Sequence, residues 1–448
     1  MSGKAKLWSN LKRRVSGRWR MAAAGCAAVA LSAVLPCGGA RAAEGLASLP
    51  AVAPVMDCAA VAQLDLTGAT DAPVTIQSAA VVTTGAPAPY CAVQGTIAPA
   101  NTFVMRLPTQ GWTQRYLQTG CGGLCGSATI NYTAAGTCPP VADGTIASAT
   151  TDMGHQGQPD GSWAAGNPQA QIDFAYRGVH ATSQVARAII AQFYGKPPAY
   201  SYFDGCSDGG REALMEAQRY PEDFDGIVAG APANDLVVQN TVHHAWNVLA
   251  NRDASGNPIL LAGKLPLIHD AVVAACDRLD GVADGLLDDP RRCHFDPASL
   301  LCAPGQDQAT CLTQAEAGVV RRLHDGATDA QGRRLEQRIS HEWGSELDWT
   351  LFVPAAPGQP AFSENIALSF LRYLAYFNVA NPNYQLSDFQ FTVPNFWRTV
   401  QTAVYMAART PTCAASPGTA ASCCYGTAGP ISTSRRNRRW NTTKPCGT

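Results

Sequence analysis

A serine lies in the pattern Gly-x-Ser-x-Gly, formed by Gly205, Ser207 and Gly209. The apolar and aromatic residues 199–203 before it predict a strand, and residues 211–219 after it are good helix formers without glycine or proline. A strand, a tight glycine turn and a helix together present a serine hydroxyl as a nucleophile. The start of the helix also aims backbone N–H groups at the position where an oxyanion would form. The alternative interpretation is a chance match in a glycine-rich chain.

The glycines of this turn are expected to be required. The turn is tight and strained, so a Cβ at Gly205 or Gly209 would collide with the neighbouring strand or helix. Upstream, residues 116–126 run from strand-like sequence into a cluster of glycines and cysteines. A loop in that place supplies the second N–H donor to an oxyanion in hydrolases built around such a turn. A flexible surface loop is the alternative.

Composition limits the kind of protein. The chain has 448 residues, of which 46% are hydrophobic and 15% charged, enough for one large globular domain with an insertion. Its net charge of −1 provides no electrostatic attraction for nucleic acid or for an anionic membrane. Sixteen cysteines are too many for a reducing cytosol, so disulfides are expected.

The N-terminal residues 1–42 predict a signal peptide. A basic segment at 4–20 precedes an apolar, alanine-rich segment at 21–35, and Ala40-Arg41-Ala42 is a small-x-small cleavage site. The sequence therefore predicts a secreted or periplasmic protein. An uncleaved membrane anchor is the alternative, although the apolar run is short for a span. No other segment has the length and apolarity of a transmembrane helix.

The order of elements around the serine predicts an α/β-hydrolase fold. Residues 180–194 place apolar side chains at helical spacing, and residues 226–230 form a short apolar run ended by Pro232. Strand, helix and strand in this order imply a parallel sheet covered on both faces. The predicted segments are a signal peptide at residues 1–42, a first part of the core at 43–233, an inserted lid domain at 234–388, a return to the core at 389–408 and a C-terminal tail at 409–448.

Four segments resemble the tannase/feruloyl esterase family of secreted α/β hydrolases, across residues 50–405. They read FDGCSDGGREALMEAQRYPEDFDGIVAGAPA, TDMGHQG, IDFAYRGVH and LSDFQFT. The resemblance implies that Ser207 is the nucleophile and that Gly123 and Asp208 lend backbone N–H groups to the oxyanion. It also implies that Cys206 is bonded to a cysteine beside the catalytic histidine. A buried free thiol is the alternative for Cys206, whose partner is not evident in this sequence.

An acidic loop, residues 277–288, forms a second constellation. Asp277, Asp280, Asp284 and Asp288 lie around Gly281 and Gly285. Calcium takes six to eight oxygen ligands from carboxylates and carbonyls, but the spacing is not that of an EF-hand. A solvated acidic loop explains the spacing equally well. The family resemblance implies a structural calcium site in the lid, with side-chain ligands from Asp277, Asp280 and Asp284 and carbonyl ligands from Val282 and Leu286.

Three cysteine pairs are expected to be disulfides. Cys58 and Cys91 lie in the strand-rich N-terminal part, and Cys302 and Cys311 are local to each other. Cys276 and Cys293 bound the acidic loop, and a bond between them would close it.

The C-terminal residues lack the partners that a catalytic serine needs. A serine hydrolase uses a histidine base and an acid that orients it, and in this fold both follow the serine. None of the eight histidines lies after the predicted lid, and no Asp or Glu follows Asp388. No triad Asp or His is therefore assigned. The tail, residues 409–448, shows neither apolar periodicity nor a strand pattern.

A neighbouring reading frame of GC-rich codons permits a strand followed by an acidic loop in that tail. The hypothesis is a frameshift near residues 406–409, with the codon of the triad aspartate straddling Pro430 and Ile431. A genuinely divergent tail is the alternative.

The expected function is hydrolysis of a carboxylic ester through an acyl-enzyme. The substrate would be a small aromatic ester, such as a hydroxycinnamate, a gallate or a terephthalate half-ester, with tryptophans and phenylalanines of the lid as ring contacts. A catalytically inactive product that lacks the triad Asp and His is the competing hypothesis. A serine peptidase is the third.

Overall fold

The computed structural model describes residues 48–157, 160–336, 341–402, 404–407 and 422–426, the last five by their backbone. The predicted signal peptide at 1–42 lies outside the described residues. Within the described ranges, every helix is too short or too polar to span a bilayer.

The described strands form one mixed sheet in the order β1-β2-β3-β5-β4-β6-β7-β8. Their bounds are β1 Val74–Val82, β2 Tyr90–Ile97, β3 Asn101–Pro108, β4 Arg115–Thr119, β5 Ala147–Thr151, β6 Tyr200–Cys206, β7 Gly226–Gly230 and β8 Ser422–Gly426. Strands β5, β4, β6, β7 and β8 are parallel, as expected from the sequence. The expectation of a parallel sheet is wrong for β1, β2 and β3, which pair antiparallel. Short connections produce this pairing, because a parallel pair needs a long crossover.

The helices alternate with the parallel strands and then follow one another. Their bounds are α1 Pro139–Ala142, α2 Pro168–Ile172, α3 Gly178–Tyr194, α4 Asp208–Arg219, α5 Leu236–Val238, α6 His244–Leu249, α7 Leu265–Cys276, α8 Gln314–Asp325, α9 Phe362–Tyr373 and α10 Val393–Thr402. The helix predicted at 180–194 is α3. Its spaced residues Val185, Ile189 and Phe193 are buried against the sheet side of the core, as the periodicity requires.

Two large apolar clusters and a small third one around Leu117 hold the described chain together. The first combines the sheet and α3 with residues of α5, α6 and α9, such as Leu236 and Phe370. The second combines α7 and α8 with Trp343 and Trp349. Residues within the predicted lid at 234–388 thus contribute to both clusters. The lid boundaries stay predictions.

The tail contains a strand that the sequence analysis missed. Strand β8 pairs parallel with β7, with Ser422 opposite Gly226 and Gly426 opposite Gly230. The expectation that no strand forms in residues 409–448 is therefore wrong. Backbone N–H and C=O groups at the edge of β7 can pair with any extended segment, so a strand can form there without an alternating side-chain pattern.

The structure forms each of the three disulfides expected from the sequence. They join Cys58 to Cys91, Cys276 to Cys293, and Cys302 to Cys311. The first ties the N-terminal residues to β2, and the other two lie in the loop-rich part after α7. Such bonds stabilise mainly by restricting the unfolded chain.

Candidate active site

Ser207 occupies the turn between β6 and α4. Its backbone angles are φ 63° and ψ −117°, a conformation that residues with side chains rarely adopt. The residue is exposed, whereas Asp208 behind it is buried. The Ser207 N–H donates to Gly230 O at 3.0 Å, and the Ser207 carbonyl accepts from Ala233 N at 3.0 Å. Strand β7 and the residues after it therefore hold the turn from one side and leave the serine accessible.

The glycines of the turn are required for close packing, as the sequence predicts. A Cβ built on Gly205 would overlap the backbone carbonyl of Gly209. A Cβ built on Gly209 would lie 2.9 Å from Cys121 O. Both positions thus bring backbone against backbone, which only glycine permits here.

The oxyanion loop, residues 120–126, packs against the start of α4. The Gly209 N–H donates to Cys121 O at 2.7 Å, which joins the loop directly to the helix. Gly123, the expected donor, has φ 63° within this loop. Among the described residues, neither the Gly123 N–H nor the Asp208 N–H donates a hydrogen bond to another group. Both N–H groups are therefore unengaged, as donors to a developing oxyanion must be.

A disulfide that the sequence analysis missed bridges the oxyanion loop. It joins Cys121 to Cys125 and so encloses Gly123. The two sulfurs lie 2.6 Å and 3.2 Å from Oε1 of Glu212, and the Cys125 sulfur lies 3.2 Å from Oδ2 of Asp208. The available signal was two cysteines four residues apart in a chain with a predicted signal peptide.

Glu212 is buried beneath this disulfide. Burial, followed by the charge of Asp208, raises the pKa of Glu212 well above its ordinary value. A disulfide sulfur carries no hydrogen, so only a protonated carboxyl can donate in the contact with it. The contact and the raised pKa both indicate a neutral Glu212.

A buried ion pair holds the side chain of Asp208. Arg211 Nε lies 2.7 Å from Asp208 Oδ1, and neither side chain is more than 1% exposed. The guanidinium also donates to Ala175 O at 2.7 Å and to Phe174 O at 2.9 Å. Arg211 therefore ties the residue after the nucleophile to the segment before α3. The sequence analysis used Arg211 only as a helix former, and a spacing of three residues was the available signal.

His155 supports the oxyanion loop. Its Nε2 lies 2.7 Å from Leu124 O, its Nδ1 lies 3.2 Å from Met153 O, and its ring stacks on Trp163. Burial lowers the pKa of His155, so the ring is expected to be neutral at neutral pH. Both nitrogens face carbonyl groups rather than the nucleophile, which makes His155 a positioning residue and not a base.

Three further histidines lie in the segment predicted as the lid. Burial lowers the pKa of His243 to about 4 and that of His244 to about 3, and the pKa of His341 lies well below its ordinary value. These three bond with Asn247 or Ser363. In the part of the chain that the structure describes, no histidine nitrogen is hydrogen-bonded to Ser207.

A model of the tannase and feruloyl esterase family matches residues 81–372, which is more than half of the 448 residues. The chain belongs to this family. The match includes the oxyanion loop, the turn at Ser207 and the acidic loop.

Several relatives carry names that agree with the family. An uncharacterised esterase of Xanthomonas campestris is 38% identical over 255 residues, which are 55% of this chain and 42% of that protein. Mono(2-hydroxyethyl) terephthalate hydrolase of Piscinibacter sakaiensis is 33% identical over 294 residues, 57% of this chain and 48% of that enzyme. A probable feruloyl esterase B-1 of Aspergillus flavus is 30% identical over 303 residues, 67% and 54% of the two chains. The chain spans about half the length of these relatives.

Solved structures of the family share the fold. Feruloyl esterase B from Aspergillus oryzae superposes with a TM-score of 0.65 at 26% identity, over 80% of this chain and 71% of that one. Tannin acyl hydrolase from Aspergillus niger superposes with a TM-score of 0.57 at 22% identity, over 72% and 64% of the two chains, and this likeness concerns the fold alone.

The acidic loop of this family member is folded around its own carboxylates. Asp277 Oδ1 accepts from Gly285 N at 2.9 Å, and Asp280 Oδ1 accepts from Val282 N at 2.9 Å. Asp284 Oδ1 accepts from Leu286 N at 3.2 Å. Asp277 and Asp280 are half-buried, Asp284 is exposed, and the Cys276–Cys293 bond closes the loop.

Calcium fits the chemistry of the acidic loop, since hard carboxylate and carbonyl oxygens are its preferred ligands. The described side chains contain two groups of metal-ligating residues with atoms within 4.8 Å of one another, and the aspartates of this loop are in neither. Calcium would therefore need to draw these carboxylates closer together.

Two tryptophans expected to contact a substrate ring are not accessible to one. Trp343 is 3% exposed and Trp349 is 1% exposed, because both fill the second apolar cluster. Trp246 is half-buried, and its ring N–H donates to Arg322 O at 2.9 Å. The expectation is therefore wrong for Trp343 and Trp349. Aromatic content alone does not tell a core ring from a ligand contact.

Proposed function

We propose that this chain is a serine carboxylic ester hydrolase with Ser207 as its nucleophile. The observation that supports the proposal is the exposed serine in a strained turn, beside the unengaged N–H groups of Gly123 and Asp208. Family membership supports the reaction class.

In the proposed reaction, Ser207 Oγ attacks the carbonyl carbon of the ester. The carbonyl electron pair moves to its oxygen, which accepts from the Gly123 and Asp208 N–H groups. The hydroxyl proton passes to a base and then to the leaving alcohol as the ester C–O bond breaks, which leaves an acyl-enzyme. Water then attacks the acyl carbon, releases the acid and restores the serine.

The described residues contribute preorganisation to this reaction. Three separate contacts hold the two donors: the Gly209–Cys121 hydrogen bond, the Cys121–Cys125 disulfide and the Arg211–Asp208 ion pair. Fixed donors need no reorganisation when charge develops, and for that reason they lower the barrier more than mobile ones.

The base and the acid are proposed to lie in a C-terminus altered by a frameshift near residues 406–409. No described histidine is hydrogen-bonded to Ser207, which supports this proposal, and the free, exposed Cys206 agrees with a lost disulfide partner. Genomic sequencing across codons 400–448 tests it. Clean reads in the present frame would reject a sequencing error.

The proposed substrates are small esters of aromatic acids, such as hydroxycinnamates, gallates or a terephthalate half-ester. Support comes from the relatives named feruloyl esterase and mono(2-hydroxyethyl) terephthalate hydrolase. Secretion or export to a periplasm is part of the same proposal, because four disulfides occur in the described residues.

Calcium is proposed as a structural ion of the acidic loop, held by the carboxylates of Asp277, Asp280 and Asp284 and the carbonyls of Val282 and Leu286. Its role would be to fix this loop. Calcium content of the purified protein, with Asp280→Asn as the variant and Asp307→Asn as an exposed control, tests the assignment.

The deciding experiment measures hydrolysis of methyl ferulate and methyl gallate by this chain, by a frame-restored variant and by the restored variant with Ser207→Ala. We expect turnover only in the restored variant with Ser207 intact. Loss of the nucleophile in such a triad lowers kcat by roughly 10⁶-fold. Equal turnover with and without Ser207 would refute the serine mechanism. Activity of the present chain would instead place the base within it, and inactivity of every form would favour the non-catalytic alternative.

A further inference from the structure

A second group of ionisable side chains lies away from the candidate active site. His180 on α3, Glu216 on α4 and Asp223 in the turn between α4 and β7 place ligand atoms within 4.8 Å of one another. His180 Nδ1 is 2.7 Å from Asp223 Oδ2. Ser207 precedes Glu216 by nine residues, which corresponds to about 13 Å along the helix. The group is therefore remote from the nucleophile.

Glu216 has no hydrogen-bond partner within the described ranges. Its side chain is 0% exposed, and neither carboxylate oxygen accepts from a described donor. No described Lys or Arg forms an ion pair with Glu216 or Asp223, and Asp223 is paired only with His180. Burial and the nearby Asp223 raise the pKa of Glu216 well above its ordinary value. A carboxyl buried without a donor stays neutral unless a cation compensates its charge, so a positive ion at this point would let Glu216 ionise and would stabilise the fold.

We infer that His180, Glu216 and Asp223 form a binding site for a divalent transition-metal ion, for which Zn²⁺ is the matching probe. One imidazole nitrogen and two carboxylate oxygens are a ligand set that suits zinc better than calcium, which prefers oxygen alone. Three protein ligands leave a fourth position for water. The two carboxylates balance the charge of the ion, and Glu216 gains the partner that it lacks.

The surroundings are those of a supported site. Ser183 Oγ donates to Asp223 Oδ2 at 2.7 Å, and the Tyr220 ring stacks on the His180 ring with centroids 3.6 Å apart. Such contacts orient metal ligands from behind. The His180 side chain is 22% exposed, which provides a route for the ion. A bound ion would tie α3 to the end of α4 and to the turn before β7, and so it would stabilise the scaffold rather than take part in ester hydrolysis.

The experiment uses the full chain, stripped with a chelator and then titrated with ZnCl₂. We expect one zinc per chain after gel filtration and a higher temperature of unfolding. Glu216→Gln should weaken zinc binding by more than about tenfold. The matched control is Glu222→Gln, an exposed glutamate in the same turn, and it should bind zinc as the wild type does. Asp280→Asn in the acidic loop should also leave zinc binding unchanged.

Substitution of Co²⁺ gives a second readout, because its visible spectrum reports a nitrogen ligand that the acidic loop lacks. His180→Gln should abolish that signal, and this variant serves if Glu216→Gln fails to fold. Zinc binding that is equal in wild type, Glu216→Gln and His180→Gln overturns the inference. The inference is also overturned if the wild type takes up no zinc and Glu216→Gln is more stable than the wild type. In that case the carboxyl groups of Glu216 and Asp223 would share a proton.

Discussion

The turn at Ser207 and the acidic loop are made of similar residues and are stabilised in different ways. Each combines glycines, aspartates and a nearby disulfide. In the turn, Asp208 is buried and paired with Arg211, and the backbone of one segment touches the backbone of another. In the acidic loop, Asp277 and Asp280 are half-buried and accept hydrogen bonds from their own loop. The first region is fixed by close packing, whereas the second is held by hydrogen bonds within its own loop.

The glycines show the same difference. Gly205 has no space for a Cβ, because the Gly209 backbone occupies it. Gly281 has nothing within 4 Å of its ideal Cβ position, but its φ is +93°. Glycine is therefore required for close approach in the turn and for backbone conformation in the acidic loop. Variants at matched positions can separate these two requirements.

The largest expected effect is that of Gly205→Ala. Its Cβ would overlap the Gly209 backbone, and relief would require α4 to move. We expect the free energy of unfolding to fall by more than about 4 kcal/mol, which is exceptional for one substitution. Gly281→Ala adds only left-handed strain, of about 1–2 kcal/mol. Urea unfolding of both variants measures the difference, and similar losses would contradict the contrast between packing and conformation.

The next effect concerns charge. Arg211→Met leaves the buried carboxylate of Asp208 without its partner, and we expect a loss of about 3–5 kcal/mol in the free energy of unfolding. The control is Arg291→Met, which breaks the ion pair with Asp289 at the acidic loop. Both members of that pair are accessible to solvent, with 79% and 34% of the two side chains exposed, so no measurable loss is expected. An unchanged free energy of unfolding for Arg211→Met at neutral pH would show that the Asp208 carboxyl is neutral or solvated.

The sequence predicts the turn at Ser207 well because its determinants are local. Glycine spacing, the apolar run before it and the helix formers after it lie within about twenty residues of one another. The cysteine pairs 58–91, 276–293 and 302–311 were also predictable, since the members of each pair lie in the same segment of the chain. The helix at 178–194 followed from its apolar spacing alone.

The remaining features depend on residues far apart in the chain. The Arg211–Asp208 pair is buried because residues 174 and 175 cover it, which no local pattern reveals. Strand β8 exists because β7 has an edge to pair with, and Trp343 and Trp349 are buried because α7 and α8 surround them. The Cys121–Cys125 bond was missed because the glycines around it were interpreted only as oxyanion donors.

The disulfides allow a third comparison, between stability and catalysis. The Cys121–Cys125 bond spans four residues and the Cys276–Cys293 bond spans 17. Loop-closure entropy predicts losses of about 2 kcal/mol and about 3 kcal/mol when each pair is changed to alanine. The order should reverse for kcat in the frame-restored variant, because only the first bond encloses Gly123. Equal effects on kcat, or a larger effect from the acidic-loop pair, would show that the Cys121–Cys125 bond does not help to position the Gly123 N–H group.

The smallest effect tests the buried carboxyl of the turn by its dependence on pH. The pKa of Glu212 is raised in the folded chain, so between its ordinary value of 4.5 and that higher value the unfolded chain releases a proton that the folded chain retains. Stability is then fully present below pH 4.5 and falls as pH rises, by up to about 1.4 kcal/mol per pH unit. Glu212→Gln has no carboxyl to titrate at this position, so its free energy of unfolding should match that of the wild type near pH 4. Its advantage over the wild type should be about 1 kcal/mol larger at pH 6 than at pH 5. Parallel pH profiles for the two proteins would mean that Glu212 is ionised in the fold, and its contact with the Cys121–Cys125 sulfurs could not then be a hydrogen bond.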